Sequence, residues 1–192
     1  MRRALSTKII AYITPAQCRA ARALLGITQS ELAEAAGLGL STVVDFEKER
    51  RRVSRQAVNA LHDALKGAGI AFNAGGTAVA FSPANDMSTI ILGKSHHTGS
   101  KVQRNGGLLS SAQIRAARAL LRWSAQDLAR ESALGVNTIR RAEVAEQNIS
   151  LTVANELAIR RALEAAGVVF IDENGGGPGV RLRERPKEKS RK

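Results

Sequence analysis

The chain has 192 residues, of which 44% are hydrophobic and only 3% aromatic, and its formal net charge is +12. A single cysteine excludes an intramolecular disulfide, and no apolar run approaches the roughly 20 residues that a membrane helix needs. The positive charge is concentrated near the ends, since residues 177–192 contain seven Lys or Arg against two Glu. Basic arms of this kind suit an extended polyanion such as nucleic acid, although they are also common solubilising ends.

The first half of the chain is repeated in the second. Ala16–Leu25 (AQCRAARALL) returns as Ala112–Leu121 (AQIRAARALL), 96 positions later. At the end of the repeat the equivalent residues are 98 positions apart, so the second copy has gained two residues. We expect this insertion inside the fourth helix or its approach, and we match Leu61 with Leu157. A unit of about 60 to 70 residues is the size of a small domain, and we expect each copy to form its own core. The predicted organisation is a basic arm at 1–12, domains at 13–82 and 109–182, a linker at 83–108 and a basic disordered tail at 183–192.

Two short helices open the first unit. Thr14 is a predicted N-cap and Pro15 the first residue of a helix that ends near Gly26. The segment Thr28–Glu31 has the cap-plus-acid pattern of a capping box, which opens a second helix to about Ala36.

Two further helices and a hairpin complete the unit. The third helix is predicted to start near Leu40 and end near Lys48, with Val43 and Phe46 directed inward, and Ser54 caps a fourth. Residues 70–72 and 79–81 are predicted to form a hairpin. In the second unit we predict helices near 111–121, 125–132, 137–145 and 151–165, then strands at 168–171 and 180–182.

A short helix, a glycine-containing turn and a second short helix is the helix-turn-helix arrangement. Ala21–Gly37 (ARALLGITQSELAEAAG), followed by Ser41-Thr42-Val43 and Phe46-Glu47, resembles the Cro and phage-repressor type of helix-turn-helix domain, also called the xenobiotic response element family. The resemblance implies a mainly α protein with two tandem four-helix helix-turn-helix domains, each followed by a short β-strand or hairpin. It also implies that the chain is a regulator from a bacterium or a mobile element and that it binds double-stranded DNA.

The resemblance implies that the third helix of each unit enters the major groove and presents its first turns to base edges. Because Asn can bind adenine and Arg can bind guanine bidentately, the second unit offers the stronger base contacts. The first unit offers a hydroxyl, two apolar groups and an acid, so the two units should prefer different half-sites. The predicted base-contacting residues are Leu40, Ser41, Val44, Asp45, Val136, Asn137, Arg140 and Arg141.

Other residues are predicted to contact phosphates. The family's glutamine at the start of the second helix corresponds to Gln29 in the first unit. In the second unit Ala125 stands at that place, and Ser124, the cap of the helix, can contact the DNA backbone instead. A basic cluster follows the third helix of the first unit, and a solvated surface is an equally good interpretation of it. The full predicted set is Gln29, Thr42, Lys48, Arg50, Arg51, Arg52, Arg55, Ser124 and Thr138.

Two charged pairs recur with the same separation of 25 residues. They are Arg22 with Glu47 and Arg118 with Glu143. The resemblance implies that each pair is an ion pair between the first helix and the end of the third, with an architectural role.

No paired carboxylates, metal-ligand cluster or phosphate-binding loop indicates an enzyme, and we expect no catalytic residue, cofactor or metal. The hypothesis is a cytoplasmic, nucleoid-associated transcriptional regulator that acts by occupying an operator, and whether it is a repressor or an activator is left open. The alternative is a protein-interaction module, such as an anti-activator or antitoxin, whose first domain binds a protein partner through Leu40, Val44 and Asp45. Homodimerisation is left open, because two units in one chain already supply what many relatives obtain by pairing.

Overall fold

The computed structural model describes residues 13–73, 78–81, 109–144, 151–172 and 177–183. Within this part, the chain is mainly helical, with eight helices and one small antiparallel sheet of four strands. The predicted arm at 1–12, the linker at 83–108 and the tail beyond residue 183 lie outside the described residues. The domain boundaries therefore stay predictions.

The first half, residues 13–81, follows the predicted order. Thr14 caps the first helix, its side chain accepting from the Gln17 amide at 3.1 Å, and Pro15 is the first helical residue. The capping box between Thr28 and Glu31 is present at the start of the second helix. The elements are α1 (Pro15–Leu25), α2 (Gln29–Ala35), α3 (Leu40–Lys48), α4 (Arg55–Gly67), β1 (Ile70–Phe72) and β2 (Ala78–Phe81).

The second half, residues 109–183, has helices of the same four lengths: α5 (Ser111–Leu121), α6 (Ala125–Glu131), α7 (Val136–Val144), α8 (Val153–Ala165), β3 (Val168–Ile171) and β4 (Gly179–Leu182). Since α4 and α8 both have 13 residues, the two extra residues lie before α8. Leu61 therefore corresponds to Ile159, and both are fully buried. The match of Leu61 with Leu157, which is 44% exposed, was wrong.

The sheet joins the two halves. Its strand order is β1-β2-β4-β3, so the hairpin predicted in the first unit forms, the two strands predicted in the second unit form another, and the two hairpins pair through β2 and β4. Val79 faces Val180 across this antiparallel junction, and neither is exposed. The absence of a side chain at Gly179 permits the close approach, because a Cβ there would lie 2.5 Å from both Ala80 Cβ and the Val79 carbonyl oxygen.

Helices α1 and α5 pack against each other with reciprocal contacts. Arg19 Nε donates to the carbonyl of Ala119 at 3.3 Å, and Arg115 Nε donates to the carbonyl of Ala23 at 3.2 Å. Because residues 19 and 115 are equivalent in the repeat, and 23 and 119 likewise, these contacts have the exchange symmetry of a two-fold interface. The two halves are arranged as the subunits of a dimer would be.

A single hydrophobic core runs through both halves. It includes Leu24 of α1, Leu120 of α5, and the junction residues Val79 and Val180. The expectation of one separate core in each half was wrong, because α1 and α5 bury apolar surface against each other and the sheet continues across the boundary. The helix pair and the sheet thus fix the relative position of α3 and α7.

Candidate nucleic-acid interface

The turn between α2 and α3 is shaped by glycine. Gly37 has a φ of +63°, a left-handed conformation in which a side chain would be strained. The Leu38 amide then donates to the Ala33 carbonyl at 2.9 Å, which ends α2 and redirects the chain into α3. A seven-residue helix, a short turn and a nine-residue helix are thereby set in the helix-turn-helix order.

The inner side of α3 carries two apolar side chains, and several of its other residues are exposed or half-buried. Val43 is fully buried and Phe46 is 9% exposed, as predicted from their spacing. On the other side Leu40 is 49% exposed and Ser41 is exposed, whereas Thr42 and Val44 are half-buried. Leu40 and Ser41 are therefore the most exposed of the residues predicted for this face.

Asp45 differs from the other residues predicted for this face. It is 9% exposed, and its carboxylate forms an ion pair with Nε of Arg51, whose side chain is 70% exposed. The cause is local, since Glu49 adopts a left-handed φ of 54° and the Arg50 amide donates back to the Asp45 carbonyl at 3.0 Å. This turn folds the chain leaving α3 back over its last turn.

The basic cluster after α3 is exposed throughout. Its members extend from the end of α3 to the first residue of α4, and they are Lys48, Arg50, Arg51, Arg52 and Arg55. Glu49 interrupts them, and its carboxylate is bound by Arg122 of the second half at 2.5 Å. The cations are therefore exposed along the α3–α4 connection, and the intervening acid is paired with Arg122.

The Glu47 carboxylate connects three helices of the first half, and we call Glu47 with its partners Arg22 and Gln29 the hub. Its carboxylate accepts from Arg22 Nε at 2.9 Å and Arg22 Nη2 at 3.1 Å, and also from Gln29 Nε2 at 2.7 Å. Glu47 is 2% exposed, so these charge-assisted bonds replace its hydration and tie α1, α2 and α3 together. Gln29 is half-buried, and its amide group has a second hydrogen besides the one donated to Glu47.

Cys18 lies beside this hub and is fully buried, with Sγ 3.7 Å from Glu47 Oε1. Burial raises the pKa of the thiol well above its usual range, and the Glu47 carboxylate raises it further. The residue therefore acts as a small packing residue with a protonated thiol.

The second half repeats the hub with fewer donors. Arg118 Nε lies 2.6 Å from Glu143 Oε1, and Arg118 Nη2 donates to the other carboxylate oxygen at 3.0 Å. Ala125 offers no donor where Gln29 stands in the first half. The Glu143 side chain is correspondingly less enclosed, at 11% exposed against 1% for Glu47.

The outer face of α7 carries two arginines, Arg140 and Arg141, at the places of Val44 and Asp45 in α3. Ile139 and Ala142 are buried, whereas Asn137, Arg140 and Arg141 are exposed. The remaining predicted contacts of this half differ in exposure: Val136 and Thr138 are half-buried, and Ser124 is exposed. The Ser124 hydroxyl takes part in the capping box of α6, donating to Asp127 Oδ2 at 2.7 Å, and this hydrogen bond lowers the pKa of Asp127.

Two features of the interface escaped the sequence analysis. One is the pairing of Asp45 with Arg51, which depends on the backbone turn at Glu49. The other is the pair Arg19 and Arg115, each of which also donates to the last-turn carbonyl of its own third helix, at 2.6 and 2.5 Å. The signal for the second was present, because Arg19 recurs as Arg115 among the small and apolar residues of each first helix.

Comparison with known proteins bears on the first half. Residues 19–67 match the family model described as Helix-turn-helix, a range that runs from α1 to the end of α4. The match covers about a quarter of the chain, and it makes the segment from α1 to α4 similar to helix-turn-helix domains. No curated protein and no solved structure matched the chain.

Within the described residues, no helix has both the length and the apolar character needed to cross a membrane. The same part of the chain contains no group of three or more His, Cys, Asp or Glu placed to hold a metal ion.

Proposed function

We propose that the chain is a sequence-specific regulator that binds double-stranded DNA with both halves, α3 and α7 entering successive major grooves. The observation that carries the proposal is the exposed polar face of α7, with Asn137, Arg140 and Arg141, on a half that repeats the one matched to the helix-turn-helix family. These side-chain types form bidentate hydrogen bonds with adenine and guanine in the major groove.

The shared sheet and the α1–α5 pair support a two-fold arrangement of the half-sites. In dimeric relatives of this architecture the half-sites lie about 34 Å apart, one turn of the double helix. Here the packing within one chain takes the place of a dimer interface, so the separation is set by contacts between the halves rather than by the linker. The site would be an imperfect palindrome, since α3 and α7 present different side chains.

The test is selection from a random double-stranded library, followed by affinity measurements on the selected site and on unrelated DNA. We expect a motif with two unlike halves, and we expect Arg140→Ala and Arg141→Ala to weaken specific binding far more than non-specific binding. Deleting residues 183–192 should lower both affinities and flatten the salt dependence, because phosphate contacts are lost. Failure of the wild-type chain to enrich any motif would overturn the proposal.

A second candidate is that the first half binds a protein. Leu40 favours it, because this large apolar side chain at the start of α3 is 49% exposed. A motif in which only the α7 half is specified, together with unchanged DNA affinity in Leu40→Ser, would support this alternative.

A further inference from the structure

The sixth residue of α3 and the sixth residue of α7 are chemically opposite. Asp45 occupies that place in the first half and Arg141 in the second, 96 positions later. Arg141 is exposed, whereas Asp45 is 9% exposed beneath the guanidinium of Arg51. The group that solvent meets at this place is therefore a guanidinium in both halves.

The contact between Asp45 and Arg51 leaves the outer edge of the guanidinium available. Asp45 engages Nε of Arg51, and Nη1 and Nη2 have no hydrogen-bond partner within the described residues. Those two nitrogens are the pair that an arginine uses to bind O6 and N7 of guanine. A carboxylate on Nε holds the side chain in one orientation, which reduces the conformational entropy that a free arginine would lose on binding.

The ion pair also removes an electrostatic obstacle. A bare carboxylate on the outer face of α3 would repel the phosphates that line the groove. Paired with Arg51, Asp45 contributes no net charge there, and the chain turn at Glu49 brings the exposed Arg51 side chain next to α3.

We propose that Arg51 recognises a guanine in the half-site of the first half, and that Asp45 is its positioning residue. This inference rests on the proposed function and deepens it, because Arg51 moves from the predicted phosphate contacts to the base contacts. The two half-sites then share a guanine at symmetry-related positions, matched to Arg51 and Arg141. They differ where Val44 replaces Arg140 and Ser41 replaces Asn137.

The experiment is library selection with the full-length chain and four variants: Arg51→Ala, Asp45→Asn, the combination of these two changes, and Arg52→Ala. Arg52 is the matched control, because it is exposed, adjacent in the chain and without a partner within the described residues. Affinities are then measured on the selected site and on sites with each single base pair replaced. Circular dichroism confirms that each variant is folded.

We expect Arg51→Ala to lose the preference for guanine at one position of the first half-site by about 10- to 100-fold, with the second half-site unaffected. Asp45→Asn should weaken the same preference by a smaller factor without changing the preferred base. In the Arg51→Ala background, Asp45→Asn should cause no further loss of discrimination. Arg52→Ala should weaken binding to all sites equally and reduce the salt slope by about 1.

Three results would count against the inference in distinguishable ways. If the wild-type chain enriches a motif but Arg51→Ala weakens all sites equally, as Arg52→Ala does, Arg51 is a phosphate contact and the inference is wrong. If the wild-type chain enriches no motif, the proposed function itself is wrong. A guanine preference that disappears in Asp45→Asn but survives in Arg51→Ala would also overturn the assignment.

Discussion

Arg19 of α1 and Arg115 of α5 hold the two halves together by the same contact in both directions. Each donates from Nε to a main-chain carbonyl near the end of the other's helix, at 3.3 and 3.2 Å. Each is at the same time bound to the third helix of its own half. Burial lowers the pKa of Arg19, and the nearby Arg122 guanidinium lowers it further. The pair therefore couples the junction between the halves directly to both candidate DNA-contacting helices.

We expect Arg115→Ala, and likewise Arg19→Ala, to lower the free energy of unfolding by about 1–3 kcal/mol, because carbonyls at the junction lose a charged donor. Urea denaturation measures this change. Arg122→Ala is the control, since its ion pair with Glu49 joins two side chains that are about half exposed and should contribute less than about 1 kcal/mol. If Arg122→Ala lowers the free energy of unfolding by the same amount, the contacts to main-chain carbonyls stabilise the chain no more than an exposed ion pair does.

Gly179→Ala should destabilise the junction between β2 and β4. The new Cβ would overlap the Val79 carbonyl oxygen, which belongs to backbone and cannot move aside without breaking the strand pairing. Overpacking of this kind typically costs about 1–3 kcal/mol in the free energy of unfolding. Ala71→Ser is the control, because Ala71 is an exposed residue in the middle of β1, and its change should stay within about 0.5 kcal/mol. Equal stability of the two variants in urea would contradict the close approach.

Cys18 should make the stability fall at alkaline pH. The folded chain raises the pKa of this thiol, so above the unfolded-state value of about 8.5 the unfolded chain releases a proton that the native chain keeps. The contribution is fully present below that value, and above it the free energy of unfolding drops by about 1.4 kcal/mol per pH unit. Urea denaturation from pH 7.5 to 10 should show a steeper decline for the wild type than for Cys18→Ala. Parallel curves would contradict the prediction.

Arg22→Met should be more damaging than the joint replacement Arg22→Met with Glu47→Leu. The single change leaves a carboxylate that is 1% exposed without its main cation, a loss of about 3–5 kcal/mol, whereas an apolar pair of similar volume is often nearly neutral. The free energies of unfolding of both variants and of Glu47→Leu alone give the coupling. Additive effects of the two single changes would mean that the ion pair contributes little.

Local signals predicted most of the fold. The capping residues Thr14 and Thr28 and the apolar spacing of Val43 and Phe46 gave elements within about two residues of those observed. Such signals act over three or four residues, which is why a sequence reveals them. The pairing of Val79 with Val180 involves segments about 100 residues apart, and a strand's own pattern does not identify its partner.

Part of the candidate interface could likewise be predicted from local sequence signals, and part could not. The outward faces of α3 and α7 follow from helical periodicity, so exposed Ser41 and Arg140 could be assigned in advance. The enclosure of Asp45 could not, because it depends on a left-handed turn at Glu49, a residue that rarely adopts that conformation.

Because β2 lies inside the sheet, the first half on its own would have an unpaired strand. A chain cut after residue 82 would keep β2 but lose β4, leaving a row of unpaired amide and carbonyl groups next to the bared apolar side of α1. Such a fragment would associate with a second copy rather than remain monomeric, and the exposed strand would promote aggregation. Truncated material therefore needs a substitute for the missing strand before its behaviour says anything about the intact molecule.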